Sequence, residues 1–465
     1  MNPNTIFEER LRIYRDFTNR VPAFRESLNH CLENETEAND ETAVSDKVFL
    51  HVFAPTVCAY VMYVLKDAKK RGKKELYFLA RDGYLFYKAA SVLGGIVAPD
   101  IRLKYLSVSR YSLRSAEYYL GGDECLDTIC SGAMRVSFAK IMERVGLDSE
   151  ERWTIAGKAG FEGREDELLN FRELTSLKKR LAEVPEFMEY AKAHAHGRFQ
   201  VTVDYLKQHG LDETRISDIA IVDSGWIGTI QKTMGRLIGT DELEGYYFGL
   251  FDLPSGADPS KYHTFYISPD VFDADRRISF SICLFETMCS EPAGMTVGYE
   301  YDESGNAVPV FSKNGNPNSE SLERFAELIT EYAEVLSGMV ADGVHDDDLM
   351  IAMCEDLLSL CMSDPTEAEA DVLGKMLFSD DVIEGEMRPL CTSWNEDDLK
   401  NNLCRNRLLA KAGLRKGPMP ESGWPEGSIV NACRGDSEKT ERYLRSEKRY
   451  KKLAEAGKKR IKSGR

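Results

Sequence analysis

The sequence predicts an α/β protein with a parallel sheet, a helical cap inserted between its strands, and a mainly helical C-terminal region. Two apolar segments, 76–79 and 219–223, each end in a polar turn that contains glycine and leads into a helical pattern. A strand, a glycine turn and a helix in this order form the opening half of a βαβ unit. Between the two units, about 100 residues at 111–214 have the periodicity of amphipathic helices, which predicts the cap. Residues 318–380 are acidic and have the same helical pattern.

The other strands of the sheet are predicted from similar apolar patterns. We expect four strands to lie parallel in one sheet, at 76–79, 103–107, 219–223 and 246–250. The first two are separated by roughly twenty residues, the length that a crossover helix requires. Aromatic, strand-like segments follow at 252–312, with a turn at 303–306. Because ligands of open parallel sheets bind beyond the carboxyl ends of the strands, we expect Asp82 and Asp223 on the same edge.

The length of 465 residues predicts two or three folding units. An N-terminal helix and an acidic loop are expected at 1–47. The sheet domain with its cap occupies 48–312 in this prediction. An acidic helical and irregular region at 313–435 and a basic helical tail at 436–465 complete the chain.

The formal net charge of −17 disfavours non-specific binding to nucleic acid or to anionic membranes, since long-range repulsion opposes both. The tail at 436–465 is an exception, with 12 Lys and Arg against 5 Asp and Glu. Such a segment can dock on an acidic partner, on the acidic body of its own chain or on a membrane surface. The alternative is that the tail docks on nothing and its basic side chains form a solvent-exposed face of a helix.

The eleven cysteines contain no C-x-x-C pair, and the N-terminal residues are charged instead of apolar. Both features are typical of a cytoplasmic protein with reduced thiols. The apolar segment at 48–65 is of borderline length for a membrane span and is interrupted by His51, Pro55 and Thr56. We therefore predict no transmembrane segment there, but a buried strand or turn followed by a helix that starts at Pro55.

Asp82 and Asp223 are the candidate site residues because each follows a strand and precedes a helix. Glycine comes within one or two residues of each, at Gly83 and Gly225, so that helix N-terminal amides can approach an anion closely. The sequence therefore predicts a phosphate or metal-phosphate site shared by the two turns. The alternative is that both carboxylates only cap helices, since Asp is a common N-cap residue.

Three segments resemble motifs of the haloacid dehalogenase-type (HAD) superfamily. LYFLARDGYLFY resembles the first motif, an apolar strand ending in D-x-D-G-x-L, and Asp82-Gly83-Tyr84-Leu85 match its second half. LKYLS at 103–107 resembles the second motif, whose Ser or Thr holds a phosphate oxygen. AIVDSGW resembles the acidic fourth motif, which completes a magnesium site. The resemblance implies a Rossmannoid HAD-like sheet, with the helical segment in the place of a cap.

A narrower resemblance covers about 48–312. Its segments match, in order, a group of predicted HAD-like hydrolases associated with bacterial surface-polysaccharide gene clusters. They are VFLHVFAPTVCAYVMYVLKDAKKRGKKELYFLARDGYLFYKAA, YLSVSR, VDSGWIGTIQKTM, GYYFGLF, and FETMCSEPAGMTVGYE with PVF. This resemblance implies a phosphorylated sugar or related metabolite as substrate.

The chain departs from the superfamily at the first Asp of D-x-D, where it has Ala80. That Asp is the nucleophile and a magnesium ligand, so a covalent mechanism fails here. Asp82 and Asp223 remain as candidates to bind Mg²⁺ or to activate water, or else the domain is degenerate and only binds. The candidate phosphate- and substrate-binding residues are Arg81, Gly83, Ser107, Ser109, Arg110, Ser224, Gly225 and Trp226. Trp226 can stack on a sugar or pack in the core, and Glu286 can face the cleft or the surface.

Two other function classes are compatible with the sequence. AIVDSGWIGT has the outline of a phosphoribosyltransferase loop, although Ser224 replaces the usual second acidic residue and Gly228-Thr229 reverse the customary order. A HAD-like site needs magnesium at Asp82, whereas the transferase places a diphosphate on the turn after Leu79. The third class is a non-catalytic binding or scaffold protein of glycan assembly.

Overall fold

The computed structural model describes residues 3–33, 40–130, 136–271, 273–340, 346–379, 387–415 and 419–463. The chain begins with four helices, α1 (Pro3–Thr18), α2 (Pro22–Glu33), α3 (Asp40–Val48) and α4 (Ala54–Lys70). The single N-terminal helix that we predicted is thus two helices, and Pro22 starts the second because proline suits the first turn. The predicted acidic loop is also wrong at 40–46, which is helical, while 34–39 lie outside the described residues.

The helix that we predicted from Pro55 is present, but the residues before it, which we interpreted as a strand or turn, are helical as well. A π-helical turn at Phe49–Phe53 joins α3 to α4, so that one continuous helix extends past Pro55 in both directions. Glu41–Lys70 is the one stretch of the described chain that is long and apolar enough to cross a membrane, and 94% of its apolar window is buried in protein. A helix enclosed on all sides gives a continuous apolar run without helical periodicity, which explains the error.

The first βαβ unit consists of β1 (Glu75–Leu79), α5 (Tyr84–Val97) and β2 (Arg102–Leu106). The chain between β2 and β3, which we call the cap, is mainly helical where the structure describes it, in agreement with the helical pattern predicted for 111–214. Its helices are α6 (Arg110–Glu117), α7 (Asp123–Ile129), α8 (Phe138–Val145), α9 (Ser149–Ala159), α10 (Phe171–Ala182) and α11 (Pro185–Gln208). The cap has its own core, centred on Phe138, Ile141 and Leu177. The last helix continues from that core into the core beneath the sheet, where Tyr205 and Leu206 are buried.

The sheet is completed by β3 (Ile219–Trp226), α12 (Thr229–Ile238), β4 (Glu244–Leu250) and β5 (Tyr262–Ile267). The strand order is β2-β1-β3-β4-β5, and every neighbouring pair is parallel. The four predicted strands are therefore confirmed, and β5 extends the sheet by one. Alternate residues of β1 enter different cores, Leu76 and Phe78 on the face of α4 and α5, Tyr77 and Leu79 on the face of α11 and α12. The sheet is thus covered on both faces, as parallel sheets are.

Two short helices, α13 (Ala274–Ser279) and α14 (Ile282–Cys289), lead to a hairpin of β6 (Thr296–Tyr301) and β7 (Ala307–Phe311). The predicted turn at 303–306 is the tip of this hairpin. The C-terminal region contains α15 (Ser319–Val340), α16 (Asp347–Ser363), α17 (Glu367–Leu373), β8 (Leu377–Phe378), β9 (Arg388–Pro389), α18 (Glu396–Asn401), α19 (Cys404–Lys411), α20 (Pro425–Ala432) and α21 (Ser437–Ser463). Both α15 and α16 share one core with α4, α5 and the adjacent face of the sheet.

The basic tail forms α21, and its first half contacts the chain's own acidic surface. Tyr443 and Glu447 are buried there, and Lys451 pairs with the buried Glu426. Asn402 donates a hydrogen bond of 2.8 Å to Glu447. Of the docking surfaces considered from the sequence, the body of the same chain is therefore the one seen in the structure.

Candidate functional site

The turns after β1 and β3 contain unusual backbone conformations. Arg81 has φ +74° and Trp226 has φ +77°, and no other non-glycine residue in the described ranges has a positive φ. A non-glycine residue in this region costs conformational energy, and such residues cluster at functional sites. Because β1 pairs directly with β3, the two strained turns lie side by side at the carboxyl edge of the sheet.

The glycines of these turns are required by close packing of the backbone. A Cβ at Gly83 would lie 2.3 Å from the carbonyl oxygen of Leu79. Gly225 has φ +113°, and a Cβ there would lie 2.4 Å from the carbonyl oxygen of Gly249. Both glycines therefore have a structural reason that is independent of any ligand.

The two predicted carboxylates are linked through Ser224. Its Oγ donates a hydrogen bond of 2.6 Å to Asp82 Oδ2, so Ser224 orients Asp82. The other oxygen, Asp82 Oδ1, is buried and accepts no hydrogen bond from the described residues. Arg81 Nε lies 3.5 Å from it, close enough for an ion pair but not for a well-formed hydrogen bond. Asp82 Oδ1 therefore has an ionic neighbour in Arg81 but accepts no hydrogen bond from the described residues.

Asp223 is buried, with 8% of its surface exposed. Burial and then the nearby charge of Asp82 raise the pKa of Asp223 to about 8. The Tyr60 hydroxyl donates a hydrogen bond of 3.0 Å to the main-chain carbonyl of Asp223, which fixes the end of β3 from the other face. Two carboxyl groups that interact this strongly in a buried place favour a shared proton or a bound cation.

Two glutamates complete the acidic end of the site. Glu286 accepts a hydrogen bond of 2.7 Å from Trp226 Nε1, and Glu291 accepts one of 2.6 Å from the Tyr105 hydroxyl. Burial raises the pKa of Glu286, and the charge of Asp82 adds to this effect. Burial also raises the pKa of Glu291. The sequence suggested Glu286 only as a cleft candidate and missed Glu291, which stands five residues later.

The opposite end of the site is basic and contains Arg114, which the sequence analysis missed. Arg114 is only 7% exposed, and it donates a hydrogen bond of 3.0 Å to Thr229 Oγ1. Burial lowers the pKa of Arg114 to about 10. Arg110 and Arg114 are four residues apart on α6, which places both on one helix face. That spacing was the signal that could have revealed Arg114.

These groups surround one cavity of about 390 Å³, within the range of small-molecule sites. Eight of the ten predicted site residues line it: Arg81, Asp82, Ser109, Arg110, Asp223, Ser224, Gly225 and Trp226. The cap contributes Asp127 and Thr128. The sheet and the cap helices α6 and α7 thus line one cavity. We call the part around Asp82, Asp223 and Glu286 its acidic end and the part around Arg110 and Arg114 its basic end.

Other predicted roles find less support in the geometry. Ser107 does not line the cavity, and its main chain is bound by the hydroxyls of Tyr205 and Tyr299. Ser109 caps α6, and its hydroxyl donates a hydrogen bond of 2.6 Å to the carbonyl oxygen of Thr296. That proton is therefore engaged before any phosphate binds.

Trp226 lies at the wall of the cavity but packs mainly within the protein. Its ring lies 5.1 Å from that of Phe280 and 6.0 Å from those of Phe251 and Phe285, measured between centroids. An aromatic cluster of this kind fixes the ring by packing on several sides. Core packing therefore accounts for Trp226 better than stacking on a sugar.

Magnesium is compatible with this donor set. Within the described part of the chain, no group of three or more His, Cys, Asp and Glu side chains has the arrangement of a metal site. Mg²⁺, however, is commonly held by one or two carboxylates together with waters and substrate phosphates. Asp82, whose Oδ1 accepts no hydrogen bond from the described residues, and the neighbouring buried Asp223 are such a pair.

In comparisons with known proteins, the chain matches no protein-family model and no curated protein. The chemistry of the cavity is therefore inferred from its own residues. The most informative of them are the Asp82 oxygen that accepts no hydrogen bond from the described residues and the buried guanidinium group of Arg114, whose hydrogen bond goes to the neutral Thr229 hydroxyl.

Proposed function

We propose that the chain is a magnesium-dependent phosphohydrolase or phosphotransferase that acts on a phosphorylated sugar or related metabolite. The single observation that carries the proposal is the buried Asp82 Oδ1 at the carboxyl edge of the sheet, which accepts no hydrogen bond from the described residues and has Arg81 Nε at 3.5 Å and Asp223 as a neighbouring carboxyl group. A carboxylate oxygen beside both a guanidinium and a second carboxyl suits a cation that is itself bound to an anion. Cell-surface polysaccharide metabolism in the cytoplasm is the proposed context, and it rests on the sequence resemblance alone.

In this proposal Asp82 and Asp223 hold magnesium, and Arg81 and Arg110 bind the phosphoryl oxygens. When bound, magnesium supplies positive charge to the phosphoryl group and orients a water. The guanidinium groups suit the bidentate recognition of phosphate. The Ser109 hydroxyl is a weaker candidate for binding phosphate because it already donates a hydrogen bond to the carbonyl oxygen of Thr296.

The reaction has to proceed without a covalent enzyme intermediate, because Ala80 offers no nucleophile at the wall of the cavity. Water attacks phosphorus in line with the bond to the sugar oxygen. As that bond breaks, the attacking water gives a proton to solvent and the leaving oxygen takes one from solvent, while Asp82 keeps its role as a magnesium ligand. In phosphotransfer an acceptor hydroxyl takes the place of the water.

A second candidate is a binding domain without catalysis, and Ala80 is the observation that favours it. The same cavity would then hold a phosphorylated ligand for a scaffold of glycan assembly. The two candidates differ in turnover but not in binding, so both predict an affinity for sugar phosphates that depends on magnesium.

The test is phosphate release from sugar phosphates, nucleotides and an aryl phosphate, with and without magnesium. We expect magnesium-dependent turnover that Asp82→Asn and Asp223→Asn each lower by at least 100-fold, the usual scale for loss of a general base or metal ligand. Asp67→Asn is the control, because Asp67 lies on α4 away from the cavity. Folded wild-type protein that binds sugar phosphates without turnover would refute the hydrolase and favour the binding domain.

A further inference from the structure

The basic end of the cavity contains Arg114, a buried guanidinium group without a salt bridge to any described carboxylate. Arg114 forms no ion pair with a carboxylate of the described residues, and its hydrogen-bond acceptor is the neutral Thr229 hydroxyl. The acidic side chain in the next turn, Glu117, is already engaged by Arg236 and Thr233, at 2.7 Å and 3.0 Å. An unpaired guanidinium at 7% exposure is costly, so a stable fold favours an anion beside it.

Two helices begin at this end of the cavity. Helix α6 starts at Arg110, and α12 starts at Thr229 after Gly228, which has no side chain to cap the first amides. Thr229, Gly228 and Ile230 all line the cavity. Free N–H groups at the start of a ten-residue helix attract anions, and the hydroxyl of Thr229 holds the guanidinium of Arg114 next to them.

The acidic end, by contrast, is where the proposed function requires the reacting phosphoryl group and its magnesium. The charges of Asp82 and Glu286 act on Asp223 there, whereas the neighbouring charges around Arg114 are Arg110, Glu117 and Arg144. The two ends therefore have different electrostatic neighbours, with Arg110 between them. A ligand with one anionic group would satisfy only one end.

We propose that Arg114, Thr229 and the N-terminus of α12 form a second anion subsite, so that the substrate carries a phosphate or carboxylate in addition to the reacting phosphoryl group. The assignment of the reacting group to the acidic end rests on the proposed function. The substrate class is then a sugar bisphosphate or a phosphorylated sugar acid. The cavity of about 390 Å³ is large enough for a small molecule of this kind.

The test compares affinities measured by calorimetry in magnesium. The probes are glucose 1-phosphate, glucose 1,6-bisphosphate and glucuronic acid 1-phosphate, with the mono- and bisphosphates of fructose and ribose as further matched pairs. We expect at least one ligand with two anionic groups to bind tenfold or more tightly than the matched monophosphate. Arg114→Gln should abolish that preference and change the affinity for the monophosphate less than twofold, since a charge-assisted pair is lost at one end only.

Thr229→Val is the second variant, because it keeps the shape of the side chain and removes only the hydroxyl that holds Arg114; it should reduce the same preference. Arg215→Gln is the control, since Arg215 pairs with Glu75 at the opposite edge of the sheet and should leave the preference unchanged. Preference for the bisphosphate locates a phosphate at the subsite, and preference for the sugar acid locates a carboxylate.

The outcomes separate this inference from the proposed function. A wild-type protein with no preference for either class of doubly anionic ligand overturns the subsite, as does Arg114→Gln weakening both members of a pair equally. Arg114-dependent preference without any phosphate release supports the subsite and overturns the hydrolase. Phosphate release from glucose 1-phosphate without a preference overturns the subsite alone.

Discussion

At the residue scale, the side chain at position 80 bears most directly on whether the cavity catalyses phosphate release or only binds its ligand. Ala80 follows β1 directly, its amide donates a hydrogen bond of 2.9 Å to the carbonyl oxygen of Leu106, and it lines the cavity beside Asp82. The backbone of this turn is therefore fixed independently of the side chain. A carboxylate at position 80 would enter the cavity where the resemblance to the HAD superfamily expects a nucleophile.

We predict that Ala80→Asp raises magnesium-dependent phosphate release by at least tenfold over the wild type. The added carboxylate supplies both a nucleophile and a further magnesium ligand. The measurement is steady-state release from the best substrate of the wild-type panel, or from an aryl phosphate if the wild type is inactive. Ala80→Asn is the matched control, of the same size but without a carboxylate, and an equal gain with Asn would contradict the nucleophile assignment.

At the element scale, α5 has a glycine at its start, Gly83, that packing requires and a glycine in its last turn, Gly95, that packing does not require. Gly83 is the N-cap, and a Cβ there would lie within 3 Å of two main-chain atoms of Leu79. Gly95 lies exposed in the last turn of the same helix and has nothing within 4 Å of the position of a Cβ. The first glycine is fixed by packing against the backbone, while the second lowers helix propensity without benefit.

We expect opposite effects from the same substitution at these two positions. Gly83→Ala should lower the free energy of unfolding by about 1–3 kcal/mol, because the backbone of the turn must shift. Gly95→Ala should raise it by about 0.5–1 kcal/mol, because alanine restricts the unfolded chain and favours the helix. Urea unfolding followed by circular dichroism measures both. Equal changes in the same direction would mean that the turn after β1 is not fixed by this contact.

At the scale of the whole molecule, the helix from α3 through α4 connects the N-terminal helices to the sheet and to the C-terminal helices. His51 lies in its π-helical turn and is 1% exposed. Nδ1 donates a hydrogen bond of 2.7 Å to the carbonyl oxygen of Lys47, and Nε2 has no partner among the described residues. Burial lowers the pKa of His51 to about 4, and the positive charges of Arg15 and Lys47 act in the same direction.

This histidine should make the stability of the whole fold depend on pH. Between the ordinary pKa of 6.5 and the folded value of about 4, the unfolded chain binds a proton that the folded chain does not. The free energy of unfolding therefore falls as the pH is lowered through this window, by up to about 3 kcal/mol, and is unaffected by this group above it. Acid titration of stability in wild type and His51→Phe measures the effect.

His51→Phe should flatten the profile between pH 6.5 and 4. A profile that is identical in wild type and His51→Phe would contradict the assignment. Carboxylates also titrate in acid, so the contribution of His51 is measured by the difference between the wild-type and His51→Phe profiles.

The sequence by itself determined the parts of the fold that follow from local pattern. Strands at 76–79, 103–107, 219–223 and 246–250 were correct to within a few residues, because buried parallel strands are short apolar runs bounded by turns. The connection rules of α/β sheets then brought Asp82 and Asp223 to one edge. Eight of the ten candidate residues line the cavity for the same reason.

Only the tertiary structure decided which polar groups meet and which remain unpaired. Glu291 reaches the cavity from a loop after α14, a position without a local signature. Arg114 reaches it from the second turn of α6, where only the four-residue spacing from Arg110 indicated a shared helix face. Two tyrosines distant in sequence bind the main chain of Ser107. Residues 49–53 are likewise buried by elements distant in sequence. Local pattern sets each element through short-range propensity, whereas burial, pairing and pKa depend on contacts across the whole chain.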